Sequence, residues 1–89
     1  MTEYGIEVRV TPRRGILDPQ GKAVGGALSS LGFGGVGEVH VGRLIVFTLE
    51  ARSEAEARER VDAMCRQLLA NPVTEDYEVA VRAAAGSAA

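Results

Sequence analysis

The stretch Val36–Glu50 most constrains what this chain can fold into, because one alternation runs through it from end to end. Val39, Val41, Ile45, Phe47 and Leu49 are odd-numbered, whereas Glu38, His40, Thr48 and Glu50 are even. Side chains alternate across a strand with a period of two. A hairpin turning at Gly42-Arg43 pairs Val41 with Leu44 on one face, which reverses the parity and turns Ile45, Phe47 and Leu49 outward. One long strand, bent at Gly42, preserves the pattern. At strand rise it spans roughly 50 Å, well beyond a usual strand. Such a strand implies that two chains exchange halves, each half pairing in a different sheet. Leu44, Val46 and Ala80 add weight, because they fall on outward faces that a lone monomer leaves unburied.

The remaining elements are read around this strand. Tyr4–Val10 alternates apolar and polar residues as a half-buried strand does, with Ile6, Val8 and Val10 inward. Asp18 is placed as an N-cap and Pro19 as the first helical residue, where its missing N–H costs nothing. The helix runs from Pro19 to about Leu31, with Val24, Leu28 and Leu31 on one face and Gly32 at the C′ position. Gly25 and Gly26 lie mid-helix, which implies close backbone packing there. Ser53 and Glu56 form a capping box that opens a second helix, running to about Ala70. Its apolar stripe is Ala57, Val61, Met64 and Leu68, its i,i+4 pairs are Glu54–Arg58 and Glu56–Arg60, and Asn71-Pro72 ends it. Tyr77–Arg82 is the last strand, with Tyr77, Val79 and Val81 inward.

The order is therefore β-α-β-α-β, an α+β domain with an overlong bent middle strand. Two helices are expected on one face of an antiparallel or mixed sheet, a plan related to the ferredoxin-like fold. The 89 residues make one domain, assigned to residues 1–82, with residues 83–89 as a flexible small-residue tail. A chain this short gains from oligomerisation. A formal net charge of −2 argues against nucleic acid as a partner. No apolar run approaches membrane-spanning length and no signal peptide is recognisable, which places the chain away from membranes, in the cytoplasm.

Little in the sequence assembles an active site. Gly32-Phe33-Gly34-Gly35-Val36-Gly37 matches G-x-G-x-x-G, but a dinucleotide fingerprint needs a strand before it and a helix after it. Here the order is reversed, and the end of a helix presents carbonyls that repel phosphate. Cys65 is the only cysteine and His40 the only histidine, with no partner at ligand or triad spacing. Glu75 and Asp76 are adjacent in a strand start and point to opposite faces. No catalytic, cofactor-binding or metal-binding residue is assigned.

Several motifs run in order along most of the chain: Gly15-Ile16-Leu17-Asp18-Pro19-Gln20-Gly21, Ala27-Leu28 with Leu31-Gly32-Phe33, and Val39-His40-Val41-Gly42-Arg43. Cys65-Arg66-Gln67-Leu68-Leu69-Ala70-Asn71-Pro72-Val73 and Glu75-Asp76-Tyr77 follow. Together they resemble the PurS family, the small subunits of phosphoribosylformylglycinamidine synthase. The resemblance implies a PurS-like fold and a non-catalytic subunit in de novo purine (IMP) biosynthesis. It implies self-association as a dimer or dimer of dimers. The implied partners are PurL, the synthetase that uses ATP and Mg, and PurQ, the glutaminase that releases ammonia. The small subunit would bridge the two and aid ammonia transfer, binding no cofactor itself. Arg13 and Arg43 stand where the family often has lysine, His40 where arginine is common, and Thr74 in place of a frequent isoleucine.

Residue chemistry and resemblance together single out Arg13, Asp18, Gln20, Gly21, His40, Arg43, Leu44, Val46, Asn71, Glu75, Asp76 and Tyr77 as candidate subunit-interface residues. The competing reading is a stand-alone regulatory module of the ACT type, which would bind a small molecule directly. Fold alone does not separate the two.

Overall fold

The computed structural model describes residues 1–83. Strand β1 (Thr2–Pro12) lies at the centre of a three-stranded antiparallel sheet, flanked by β2 (Arg43–Ala51) and β3 (Glu75–Ala83). Helix α1 (Pro19–Ser30) joins β1 to β2, and helix α2 (Glu54–Met64) with a following π-turn (Cys65–Leu69) joins β2 to β3. The β-α-β-α-β order is the one read from the sequence. Ala83, assigned there to the tail, is the last residue of β3, and residues 84–89 lie outside the described residues.

The alternation in β1 produces the core. Ile6, Val8 and Val10 are buried beneath α2, whose Ala57 and Val61 are buried in turn, and Tyr77, Val79 and Val81 of β3 pack against them. Register places Ile6 between Phe47 and Val81, and Val8 between Ile45 and Val79, so inward residues of all three strands form continuous rows.

The middle strand is shorter than expected. It begins at Arg43, opposite Val10, and residues 36–42 form no strand in this chain. Beyond Val10, β1 continues only through Thr11 to Pro12, whose lack of an N–H confines it to a strand end, so β1 has at most two residues left to set opposite residues 36–42. The parity argument holds for the part that pairs: Ile45, Phe47 and Leu49 face the core.

Two further corrections concern the helices. Only α2 lies across the sheet, against β2 and β3; α1 packs on residues 39–41 and leaves Val24 and Leu31 exposed, as it leaves the preceding Leu17. In the second helix the stripe does not extend to Leu68, which is 82% exposed. Cys65, at i+4 from Val61, is still buried, and there the helix widens into a π-turn, closed by the Ala70 N–H donating to the Cys65 carbonyl, so that Leu69 packs on the core in place of Leu68. The capping box also differs in detail. The Ser53 hydroxyl accepts from the Glu56 N–H as expected, but the Glu56 carboxylate accepts from the Arg52 N–H one residue before the cap. Glu54–Arg58 forms at 3.3 Å, whereas Arg60 donates to the Glu50 carbonyl instead of meeting Glu56.

Candidate functional site

The end of β1 and the starts of β2 and β3 meet at one end of the sheet, and most of the candidate interface residues gather there. Asp18 is the organising group. One carboxylate oxygen accepts the Gly21 N–H at 3.0 Å, the cap expected from the sequence, and the other accepts the Val41 N–H at 3.0 Å. The carboxylate therefore joins the start of α1 to the segment that leads into β2. Hydrogen bonds from Gly21 and then Val41, with a smaller contribution from His40, hold Asp18 below the ordinary carboxylate value against the opposing effect of burial.

Gly21 is the one buried residue of α1, and its role is steric. A Cβ there would lie 2.1 Å from the Val39 carbonyl oxygen. The close approach expected at Gly25 and Gly26 occurs here, one turn earlier: a Cβ on Gly25 would make ordinary contact with Val39, and one on Gly26 would meet nothing. Gly42 is constrained in the same way, since its Cβ would lie 2.1 Å from the Val10 carbonyl oxygen.

His40 bridges two carboxylates, with Nε2 2.7 Å from Glu38 Oε1 and Nδ1 3.5 Å from Asp18 Oδ2. Beside it opens a groove of about 600 Å³ lined by Thr11, Pro12, Arg14, Glu38, His40 and Asp76. Arg13 reaches across to Asp76 at 3.2 Å, and its backbone N–H donates to the Thr74 carbonyl.

Arg43 and Glu75 form a fork. Arg43 Nη1 and Nη2 donate to the two Glu75 carboxylate oxygens at 2.7 and 3.0 Å, and Nη2 also donates to the Leu69 carbonyl at 2.6 Å. Glu75 in turn accepts the Asn71 N–H at 2.7 Å. The guanidinium thus ties the start of β2 to the end of the π-turn and the start of β3. The Arg43 bond is the main cause, and the Asn71 N–H the next, of a Glu75 carboxyl held below its ordinary value; Glu75 raises Arg43.

The other candidates separate. Gln20 is exposed on the first turn of α1, and Leu44 and Val46 lie on the outer sheet face. Tyr77 faces inward and its hydroxyl donates to Asp62, which also pairs with Arg66 at 2.7 Å. Glu75 and Asp76 point to Arg43 and Arg13 respectively, so they do not act as a carboxylate pair. Cys65 is buried, and burial pushes its thiol up, away from nucleophilic reactivity. Among the described residues no group of three or more metal-ligating side chains comes together, and no helix is long and apolar enough to cross a membrane. Sequence reasoning missed Glu38 as the neighbour of His40. It also missed the apolar surface of Leu17, Leu31, Phe33 and Val36, each between 47% and 72% exposed. Periodicity assigned Leu31 to the apolar face of the first helix, and Val36 was read as the start of the strand, whereas Leu17 and Phe33 lay in the segments before and after that helix.

Residues 5–83 match the family model of PurS, phosphoribosylformylglycinamidine (FGAM) synthase. The chain is 45% identical over 84 residues to the phosphoribosylformylglycinamidine synthase subunit PurS of Synechocystis sp., covering 94% of this chain and 84% of that one. Over 78 residues it is 40% identical to the Methanocaldococcus jannaschii PurS subunit, covering 88% of this chain and 94% of that one. Among solved structures, M. jannaschii PurS superposes with a TM-score of 0.78 at 38% identity, covering 90% of this chain and 96% of that one. A chain of Thermotoga maritima PurLQS superposes at 0.83 with 31% identity, covering 91% and 99% respectively. Sequence and fold agree over nearly the whole length of both partners in each comparison, and the chain belongs to the PurS family of phosphoribosylformylglycinamidine synthase.

Proposed function

We propose that this chain works as the PurS subunit of phosphoribosylformylglycinamidine synthase, in purine biosynthesis, without an active site of its own. The observation that carries this is the end-to-end match with a chain of the T. maritima PurLQS assembly, at a TM-score of 0.83. The chemistry of the chain supports it: its acidic side chains at the sheet end are spent on holding loops and strand ends, and its one thiol is buried. In this reading PurL carries the ATP- and Mg-dependent synthetase step and PurQ releases ammonia, while this chain bridges them in the cytoplasm and aids ammonia transfer. It assembles with itself as well as with them. Phe33, exposed just beyond the end of α1, is offered to a larger subunit.

Reconstitution tests the reading. The chain is mixed with PurL and PurQ, and amidine formation is measured with glutamine and with free ammonia as nitrogen source. Omitting the chain should lower the glutamine-dependent rate and spare the ammonia-dependent one. Equal glutamine rates with and without it would sink the proposal, and turnover by the chain alone would replace it with a different one. Phe33→Glu should keep the fold and lower the glutamine-dependent rate of the complex.

A further inference from the structure

The Asp18 carboxylate takes a third contact besides the Gly21 and Val41 N–H groups, and this one comes from a side chain that can change its charge. His40 Nδ1 lies 3.5 Å from Asp18 Oδ2, the oxygen that accepts from Val41, while Nε2 lies 2.7 Å from Glu38 Oε1. An imidazolium donates from both ring nitrogens, whereas a neutral ring has one N–H and one lone pair. Only the charged ring satisfies both contacts. The other charged groups around it are Arg14 and Asp76, which line the same groove. Asp76 is paired with Arg13 at 3.2 Å, and among the described residues Arg14 forms no ion pair.

The place of this contact gives it leverage. α1 is held at its first turns, by Asp18 and by the packing of Gly21 and Gly25 on Val39. Its far end carries Phe33, whose N–H donates to the Leu28 carbonyl at 3.0 Å, so Phe33 moves with the helix. The helix has 12 residues. It is therefore about 18 Å long, and a rotation of about 10° at its start displaces its end by about 3 Å.

We propose that the charge on His40 sets how firmly α1 is clamped to residues 39–41, and so where Phe33 is presented to the larger subunit. His40 is then a positioning residue. Charged, it donates to Asp18 and Glu38 together and closes the clamp. Neutral, it keeps its one proton at the shorter contact, with Glu38, and turns a lone pair toward Asp18 Oδ2. The carboxylate loses a donor, and α1 loosens at its base. A histidine side chain changes charge between about pH 5 and 8, and His40 is the only histidine, so the clamp is tight at the acid end of that range and loose at the alkaline end. This rests on the Phe33 contact in the reading above and adds to it a dependence on pH.

Hydrogen exchange of the chain by itself reads the clamp, followed by NMR at the Gly21 and Val41 amides and corrected for intrinsic exchange. The Val8 amide, in the central strand, is the reference for global opening. Relative to it, protection in the wild type should fall at least about threefold from about pH 6 to about pH 8, the size expected for one partly exposed ion pair. His40→Gln, neutral throughout, should show the weak protection at both values, and His40→Arg, charged throughout, the strong protection at both. Wild-type protection that does not change with pH, or a His40→Arg variant that follows the wild type, would overturn the proposal. The consequence is read in the complex reconstituted with PurL and PurQ. Dividing the wild-type rate by the His40→Arg rate cancels the pH dependence of the other subunits. With glutamine that ratio should fall at least about threefold over the same range, and with free ammonia it should stay flat. Phe33→Glu separates two failures. If it leaves the glutamine-dependent rate intact, the reading of Phe33 fails and the proposal with it. If it lowers that rate while the ratio stays flat, the reading stands and the charge-set clamp fails.

Discussion

Asp18 and Val41 are 23 residues apart in sequence and joined by one hydrogen bond, from the Val41 N–H to a carboxylate oxygen of Asp18. The other oxygen caps α1 through Gly21, so a single side chain fixes both the start of a helix and the approach to a strand. Asp18→Asn leaves one acceptor oxygen for two donors and should lower the melting temperature. The pH dependence has a definite sign. The folded state holds Asp18 below its ordinary value, so its stabilisation is complete above the unfolded-state value and is lost as pH falls through the folded one. Melting curves of Asp18→Asn against pH should lack that part of the acid limb.

Arg43 and Glu75 form a paired contact that also satisfies the Leu69 carbonyl. Arg43→Lys keeps the charge but loses the planar fork. It should cost on the order of 1 kcal/mol in urea unfolding, the upper end for a partly exposed pair. A cost indistinguishable from zero would show the fork to be ornamental. Glu75 is also held below its ordinary value, so this contact too weakens as pH falls through its folded value.

Gly21 and Gly42 each leave room for a backbone carbonyl, Val39 in one case and Val10 in the other, where a Cβ would lie 2.1 Å from the oxygen. Gly21→Ala and Gly42→Ala should each destabilise the chain by about 1–3 kcal/mol, the usual cost of forcing extra volume into a packed site. Gly26→Ala, with nothing near its Cβ, is the control and should be neutral or stabilising by chemical denaturation.

Tyr77→Phe removes the hydroxyl that donates to Asp62 and should cost about 1 kcal/mol. The bond to Asp62 is the main cause of a phenol pushed above its ordinary value. Its stabilisation is present below the unfolded-state value and lost as pH rises through the folded one. The variant should therefore lose part of the alkaline limb of the stability profile, read by thermal melting.

Much of the fold is legible from local chemistry. The alternation of Ile6, Val8 and Val10 specifies β1 and its buried face, Asp18 and Ser53 mark the two helix starts, and the parity of Ile45, Phe47 and Leu49 sets the inward face of β2. These signals survive because they depend on residues close in sequence and on one period at a time. Where β2 begins, where α1 lies and which side of the second helix faces in were decided only by tertiary structure. Residues 36–42 have strand-like alternation, yet β1 ends at Pro12 and nothing in the chain pairs with them. Leu68 has the right spacing for the core, yet the π-turn at Cys65 rotates it to solvent. Asp18 reads as a cap in the sequence, and its second bond, to Val41, exists only because the chain returns to it. Periodicity fixes which side of an element is apolar; whether that side is covered depends on long-range partners, which no local pattern encodes.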